Sequence, residues 1–288
     1  MPKLISETLG FRRRAVNALA LTLIASAAIV VTTPLIAILG TILYRGFSGL
    51  HWSFLTQIPA PPGEVGGGMA NAIAGSGMIL GLACIVGIPL GIGSGVFLAE
   101  YGRNRWGNIV RFTADVLNGV PSVVIGITVY SLVVATQKHF SMVAGAIALG
   151  IIMVPTVCRT TEEVLLMVPQ AIREAAFGLG IPQWRATLSV VLPTASSGII
   201  TSVMLAFARI AGETAPLMFT ALGNGFWNLK PNQPTAALPL QIYTYAISAY
   251  DDWHDQAWTG ALVLIALIIA IVITVRFAAG RGAMKGAY

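Results

Sequence analysis

The sequence predicts an all-α, polytopic membrane protein with six transmembrane helices. Of its 288 residues, 56% are hydrophobic and 10% are charged, whereas a soluble domain carries about 25% charged residues. No apolar segment shows the strict alternation of a β-barrel strand. The apolar residues instead form blocks near the roughly 20 residues that a helix needs to cross a bilayer, at 16–43, 71–98, 109–136, 141–158, 190–222 and 257–279. We therefore interpret 1–288 as a single membrane domain.

The basic residues are distributed unequally between the loops that these blocks define. Arg45, Lys138 and Lys230 lie on one side of the predicted membrane, and Arg209 lies within a block. The other lysines and arginines fall in the two tails and in the second and fourth loops: Lys3, Arg12, Arg13, Arg14, Arg103, Arg105, Arg111, Arg159, Arg173, Arg185, Arg276, Arg281 and Lys285. Because cytoplasmic loops are enriched in Lys and Arg, both termini are predicted to be cytoplasmic. This topology explains the formal net charge of +6 without a nucleic-acid partner.

The first three blocks differ in their irregularities. The run at 16–43 is longer than the roughly 7 to 15 residues of a signal-peptide core, so it is predicted to be an uncleaved first transmembrane helix. The second block carries a stripe of small residues along which another helix can approach closely: Gly87, Gly91 and Gly95. The third block is interrupted at Asn118, Gly119 and Pro121, and we expect it to enter the membrane near Val116.

The fourth block ends in Glu162 and Glu163, near Arg159. We expect this acidic pair to lie on a solvated helix face, with a contact to a cytoplasmic partner as the alternative. The two cysteines, Cys84 and Cys158, lie far apart in apolar blocks and are expected to be packing residues.

The loop at 169–189 is predicted to be ordered. Its apolar residues recur at the spacing of an amphipathic helix of about three turns: Ile172, Ala175, Ala176 and Leu179. Gly178 and Gly180 then allow the backbone to turn. Pro182 is expected to start a second short helix, and Pro193 to mark the start of the next span. Because the apolar stripe has no span of its own to bury it, we expect another protein to cover it. The alternative is an ordinary connecting loop.

The fifth block contains an ionisable pair deep among apolar residues, Arg209 and Glu213. At i and i+4 they are predicted to share one helix face. A charge at mid-bilayer costs about 2.5–3.5 kcal/mol, so such residues usually face a bundle interior or an aqueous pathway. We interpret Arg209 as a cation for a passing oxyanion, which the planar guanidinium suits, with Glu213 orienting it. The alternative is an ion pair between helices that fixes their packing.

The remaining features argue against an enzyme. The aromatic residues of the segment at 223–256 are explained by an interfacial belt, with a short surface helix at Pro239 to Ala249 as a possible docking element. No histidine, cysteine or carboxylate group has the spacing of a catalytic or metal site, and the three histidines fall in outside loops: His51, His139 and His254.

The loop at 169–189 resembles the EAA signature of binding-protein-dependent ABC importer permeases. That signature is EAA-x3-G-x9-I-x-LP, and in this chain Val190 stands where isoleucine is usual. The resemblance implies a coupling helix seated in a groove of an ATPase subunit. The residues that match the signature and would carry this coupling are Glu174, Ala175, Ala176, Gly180, Leu192 and Pro193.

Four further stretches resemble phosphate-specific ABC importer permeases, in particular the PstA-type subunit: GVFLAEY at 95–101, LNGVPSVVIG at 117–126, ARIAGETAPL at 208–217 and LPLQIYTYA at 238–246. The resemblance implies a type I ABC importer (MetI-like) permease core at 69–279, with the coupling loop at 169–189, that moves inorganic phosphate across a bacterial inner membrane. It also implies a substrate pathway with two principal residues, Arg209 and Glu213. Two weaker pathway candidates beside the break in the third block are Asn118 and Ser122, because a broken helix can expose backbone amides to an anion; alternatively they bridge helices.

The same resemblance implies the partners of this chain. They are a homologous PstC-like permease, a PstB-like ATPase dimer and a periplasmic PstS-like phosphate-binding protein, in addition to membrane lipid. ATP and Mg²⁺ would be bound by the ATPase, and this chain would bind no cofactor or metal. The alternatives are a permease for another oxyanion, such as molybdate, sulfate or phosphonate, and an ion-coupled secondary transporter, for which internal repeats would be expected.

Overall fold

The computed structural model describes residues 2–64 and 66–285, with side chains over 10–64 and 66–278. Two basic residues of the C-terminal tail, Arg281 and Lys285, and Lys3 of the N-terminal tail therefore have side chains outside the described part. The regular secondary structure in these ranges is helical, at α1 Pro2–Ser48, α2 Trp52–Thr56, α3 Ala70–Glu100, α4 Arg105–Gly119, α5 Ser122–Val129, α6 Ala135–Gln137, α7 Met142–Leu166, α8 Gln170–Gly178, α9 Gln183–Ala186, α10 Leu192–Ala211, α11 Ala215–Thr220, α12 Leu238–Ala246 and α13 Asp251–Lys285.

These helices confirm the predicted all-α membrane fold. Five apolar helical segments in the described ranges are long enough to cross a bilayer: Gly10–Ser48, Ala70–Glu100, Met142–Leu166, Gln183–Ala211 and Asp251–Ala278. A sixth span results if α4 and the helical segment Ser122–Gln137 are counted together, although they are bent by 102°. The third predicted span is therefore two helices rather than one.

The centre of the bundle is the contact between α3 and α7. The glycine stripe of α3 lies on this contact, where a Cβ at Gly91 would be 2.6 Å from the Cβ of Val157. A Cβ at Gly95 would be 2.6 Å from the carbonyl oxygen of Cys158. Small residues here let the two backbones approach closely, so the predicted role of the stripe is confirmed.

A second, smaller core joins α12 to the start of α13. Tyr245 and Trp253 stack with ring centroids 4.3 Å apart, and Phe54 and Met69 pack in the same cluster. The helix expected at 239–249 is thus α12, and part of the aromatic segment forms a packed core rather than a belt alone.

The fifth predicted span begins and ends differently from the prediction. Pro193 does not start it, because one helix runs over Gln183–Ala211. The N–H of Leu192 donates to the carbonyl of Thr187, five residues earlier, which makes this turn π-helical. Such a widened turn accommodates the proline ring, which lacks a donor and would crowd a regular helix. At the other end, α10 stops at Ala211 rather than continuing towards 222.

Candidate functional site

The break in the third span follows from a single proline. Val120 and Pro121 have extended backbone angles, with ψ of 130° and 134°. A residue before proline disfavours the helical conformation, so α4 ends at Gly119. The next helix, α5, starts at Ser122, and the first N–H groups of a helix have no partner within it. The N–H of Val124 donates to the carbonyl of Pro121 at 2.9 Å, and the N–H groups of Ser122 and Val123 have no partner among the described residues, so two backbone donors are free beside the bend.

Two of the motif stretches named above meet near this bend. The short helix α11 packs against α5, and a Cβ at Gly126 would lie 2.6 Å from the Cα of Pro216. Glycine is needed at 126 because a side chain would collide with the backbone of α11. The stretches at 117–126 and 208–217, distant in sequence, are thus neighbours in the fold.

Arg209 and Glu213 do not share a helix face, which corrects the prediction. Gly212 caps α10, and its N–H donates to the carbonyl of Arg209 at 3.3 Å. Glu213 lies in the turn that follows, where its N–H donates to the carbonyl of Ile210 at 3.2 Å. Glycine is a poor helix former and favours a helix end, so the i, i+4 rule does not apply across it.

Neither charge of this pair is neutralised within the described part of the chain. The Arg209 side chain is exposed and Glu213 is half-buried. The ion pairs found among the described residues involve other side chains, so the alternative of a packing ion pair between helices has no support in that part of the chain.

The weaker pathway candidates are separated by the bend. Asn118, at the end of α4, accepts a hydrogen bond through its Oδ1 from Thr156 Oγ1 of α7, at 3.0 Å. This contact corresponds to the helix-bridging alternative. Ser122 is the first residue of α5 and is half-buried.

The loop at 169–189 folds as the short helix α8, the predicted turn and then α9, which is the start of the long helix Gln183–Ala211 rather than a separate short helix. Gly180 has a φ of +75°, a conformation that favours glycine. Pro182 caps α9, and Glu174 and Ala175 are exposed on α8. Leu192 and Pro193, the last residues of the signature, lie in the first turn of α10.

The apolar stripe of α8 is divided between two environments. Ala176 is buried, and Ile172 packs against the main core of the same chain, so this part needs no other protein to cover it. Leu179 is 80% exposed and Trp184 is 61% exposed. The expectation that a partner covers the whole stripe is therefore too broad, and the uncovered apolar surface lies around the turn between α8 and α9.

A set of ion pairs at the ends of α3 and α7 was missed by the sequence analysis. We call it the charge cluster; its members are Glu100, Arg111, Asp115, Arg159, Glu162 and Arg173. Arg173 of α8 donates to Glu100 Oε1 at 2.7 Å. Arg111 of α4 donates to Glu162 Oε1 at 2.6 Å, and Arg159 Nε lies 2.9 Å from Asp115 Oδ1.

The acidic pair at the end of α7 is therefore not one solvated face. Glu163 is exposed as predicted, but Glu162 is 2% exposed and its two oxygens bind Arg111 and Arg159. A buried carboxylate requires such partners because an unpaired charge is costly to bury. The sequence offered two signals: Arg159 lies three positions before Glu162, and Arg111 is a cation at the start of an apolar block.

Comparison with known proteins shows the family to which this chain belongs. The model of the family "Binding-protein-dependent transport system inner membrane component" matches residues 87–281. The chain is 44% identical over 265 residues to the phosphate transport system permease protein PstA of Yersinia pestis, covering 92% of this chain and 90% of that protein. It is 45% identical over 273 residues to PstA of Xylella fastidiosa (strain 9a5c), covering 94% and 95%.

The fold is also found in a solved transporter. The chain resembles a structure of the MetNI methionine ABC transporter in an inward-facing conformation, with a TM-score of 0.57 and 18% sequence identity, covering 76% of this chain and 98% of that chain. At this identity the likeness concerns the fold, which agrees with the predicted MetI-like permease. This chain belongs to the family of binding-protein-dependent transport system inner membrane components and, within it, to the PstA permeases.

Proposed function

We propose that this chain is a transmembrane permease subunit of an ATP-driven ABC importer that moves inorganic phosphate into the cytoplasm. The observation that carries the proposal is the contact between α5 and α11. It places the turn with Arg209 and Glu213 in the same part of the bundle as the broken third span. The PstA relatives are phosphate transport system permease proteins, and this arrangement suits the same substrate.

The chemistry of the turn fits a tetrahedral oxyanion. Arg209 is exposed and has no carboxylate within ion-pair distance among the described residues, so its guanidinium can donate two parallel hydrogen bonds to an anion. The free amides at the start of α5 can add further donors. A half-buried carboxylate, Glu213, repels the same anion and so limits how long it is held. Passage requires such weak, reversible binding.

The energy for transport would come from other subunits. In this proposal, the exposed residues around Glu174 and Gly180 contact one subunit of a PstB-like ATPase dimer, which binds ATP and Mg²⁺. A PstC-like permease completes the membrane part, and a PstS-like periplasmic protein delivers phosphate. This arrangement puts both termini and α8 in the cytoplasm, in agreement with the excess of basic residues on that side, in a bacterial inner membrane.

The proposal is tested by reconstituting the purified complex in liposomes with its binding protein. We expect accumulation of radiolabelled phosphate that depends on ATP and is not reduced by a tenfold excess of sulfate or molybdate. Liposomes that receive a non-hydrolysable ATP analogue are the control. Uptake driven by an ion gradient without ATP, or preferential uptake of molybdate or sulfate, would contradict the proposal.

A further inference from the structure

One arginine connects α8 to the ends of α3 and α7. Arg173 donates to Val168 O at 2.7 Å, to Leu165 O at 2.9 Å and to Glu100 Oε1 at 2.7 Å. The carbonyl of Leu165 lies in the last turn of α7, where carbonyl groups lack partners within the helix, and that of Val168 lies in the short connection that follows α7. Glu100 is the last residue of α3. A single guanidinium thus joins the ends of three helices.

This attachment is shielded from water. The side chains of Arg173 and Glu100 are 11% and 5% exposed, and Gln183 Nε2 of α9 also donates to the carbonyl of Glu100, at 3.0 Å. Charge-assisted hydrogen bonds in such surroundings are strong, and removing one partner leaves an uncompensated charge. Among its nine residues α8 buries Ala176 and packs Ile172, partly buried, against the core, so Arg173 supplies its hydrogen-bonded attachment to the ends of α3 and α7.

The same end of α3 also holds α4. Arg111 donates to the carbonyls of Leu98 and Gly102, each at 2.9 Å, as well as to Glu162. The helix α4 leads directly to the bend at Pro121, and its Asn118 contacts α7 again. The end of α3 is therefore a common attachment point for α8 and for the helix that leads to the proposed pathway.

We propose that Arg173 and Glu100 are a positioning pair, which makes α8 move as one rigid body with the ends of α3 and α7. The inference rests on the proposed function, in which an ATPase moves α8. With the pair intact, a displacement of α8 carries α3 and, through Arg111, α4. Without the pair, α8 turns about the short connection at 167–169, and ATP is hydrolysed without an equal movement of the pathway helices.

The test uses the complete complex in liposomes and measures phosphate uptake and ATP hydrolysis together. In Glu100→Gln and Arg173→Lys, we expect the ATPase to bind normally and the phosphate moved per ATP to fall about tenfold, the effect of losing one charged hydrogen bond. The matched control is Arg103→Lys. Arg103 is exposed on the same surface and makes no ion pair among the described residues, so its ratio should equal that of the unaltered complex.

The ratio separates positioning from a general structural role. An unchanged ratio in Glu100→Gln and Arg173→Lys, even with less active complex, would overturn the inference. If either single variant does not assemble, the ratio is measured in the double variant E100Q/R173Q, which has neither charge. A normal ratio there, or failure of the double variant to assemble, assigns the pair to folding alone and also overturns the inference. An unaltered complex that accumulates no phosphate would instead contradict the proposed function.

Discussion

At the ends of α3 and α7, each charged member of the charge cluster has a partner of opposite sign, whereas Arg209 and Glu213 have none among the described residues. The residue types are the same in both regions. Charges with a partner of opposite sign fix the positions of helices, and removing one member of such a buried pair destabilises the protein. Charges without such a partner inside a membrane domain mark a pathway or a binding site for a substrate or an ion. Whether a charge has a partner is therefore the feature that separates the framework from the proposed pathway.

The largest expected effect comes from Glu162→Gln, which tests the partnered region. This change leaves Arg111 and Arg159 without the carboxylate they share, and removing one member of a buried ion pair costs about 3–5 kcal/mol. We expect a lower melting temperature of the purified complex. Both arginines are partly exposed, so the loss should lie near the lower end of that range.

Two further glutamates serve as matched controls for this variant. Glu163→Gln alters an exposed neighbour, and Glu213→Gln alters a carboxylate without an ion-pair partner among the described residues. Each of these two substitutions should change the free energy of unfolding by less than about 0.5 kcal/mol. If Glu213→Gln destabilised the complex as much as Glu162→Gln, the distinction between the two regions would be wrong.

The next effect in size is expected from Arg209→Ala, which tests the unpartnered region. Hydrogen bonds to charged groups contribute about 1.5–3 kcal/mol, so phosphate uptake should fall roughly 100-fold while the melting temperature is unchanged. Arg209→Lys keeps the charge without the planar fork and should give an intermediate rate. Normal uptake in Arg209→Ala would remove Arg209 from the pathway.

A smaller effect is expected at the exposed turn after α8, a surface whose partner belongs to another subunit. Gly180→Ala places a side chain at a φ of +75°, which costs about 1–2 kcal/mol. We expect the Kd of the ATPase for membranes containing this variant to rise about fivefold, as measured by sedimentation with the membranes.

The control for this change is Gly178→Ala, two residues earlier. A Cβ would meet no atom within 4 Å at either glycine, but Gly178 lies within α8, where alanine is favourable. The two glycines therefore differ in backbone conformation and not in the space available for a side chain. Equal ATPase binding by the two variants would show that the turn geometry is unimportant for docking.

The sequence was sufficient where local rules decide the structure. Pro121 breaks the third span and Gly180 turns the loop, and both effects follow from the residue itself. Arg159 and Glu162, three positions apart, could be noted together, but the other ion pairs of the charge cluster were missed because their partners are far apart in sequence. Arg111 and Glu162 are separated by 51 positions, and Arg173 and Glu100 by 73. Where a local rule failed, as for Arg209 and Glu213, Gly212 had ended the helix on which the spacing depends.

The smallest effect on stability is expected at Asn118, which lies between the partnered region and the proposed pathway. It lies beside the bend, yet its side chain already accepts a hydrogen bond from Thr156. Thr156→Val removes this donor with little change in shape, and hydrogen bonds between helices in membranes average about 0.6 kcal/mol. We expect an equally small loss of stability in Thr156→Val and Asn118→Ala, with the KM for phosphate unchanged in both.

The comparison of these two variants decides to which region Asn118 belongs. Both break the same contact, but only Asn118→Ala removes the amide that an anion could meet. A raised KM in Asn118→Ala alone would therefore assign Asn118 to the pathway, with Thr156 holding its amide in position. Equal KM values would assign it to the framework, as its hydrogen bond indicates, and would leave Arg209 and the backbone amides at the start of α5 as the donors for the anion.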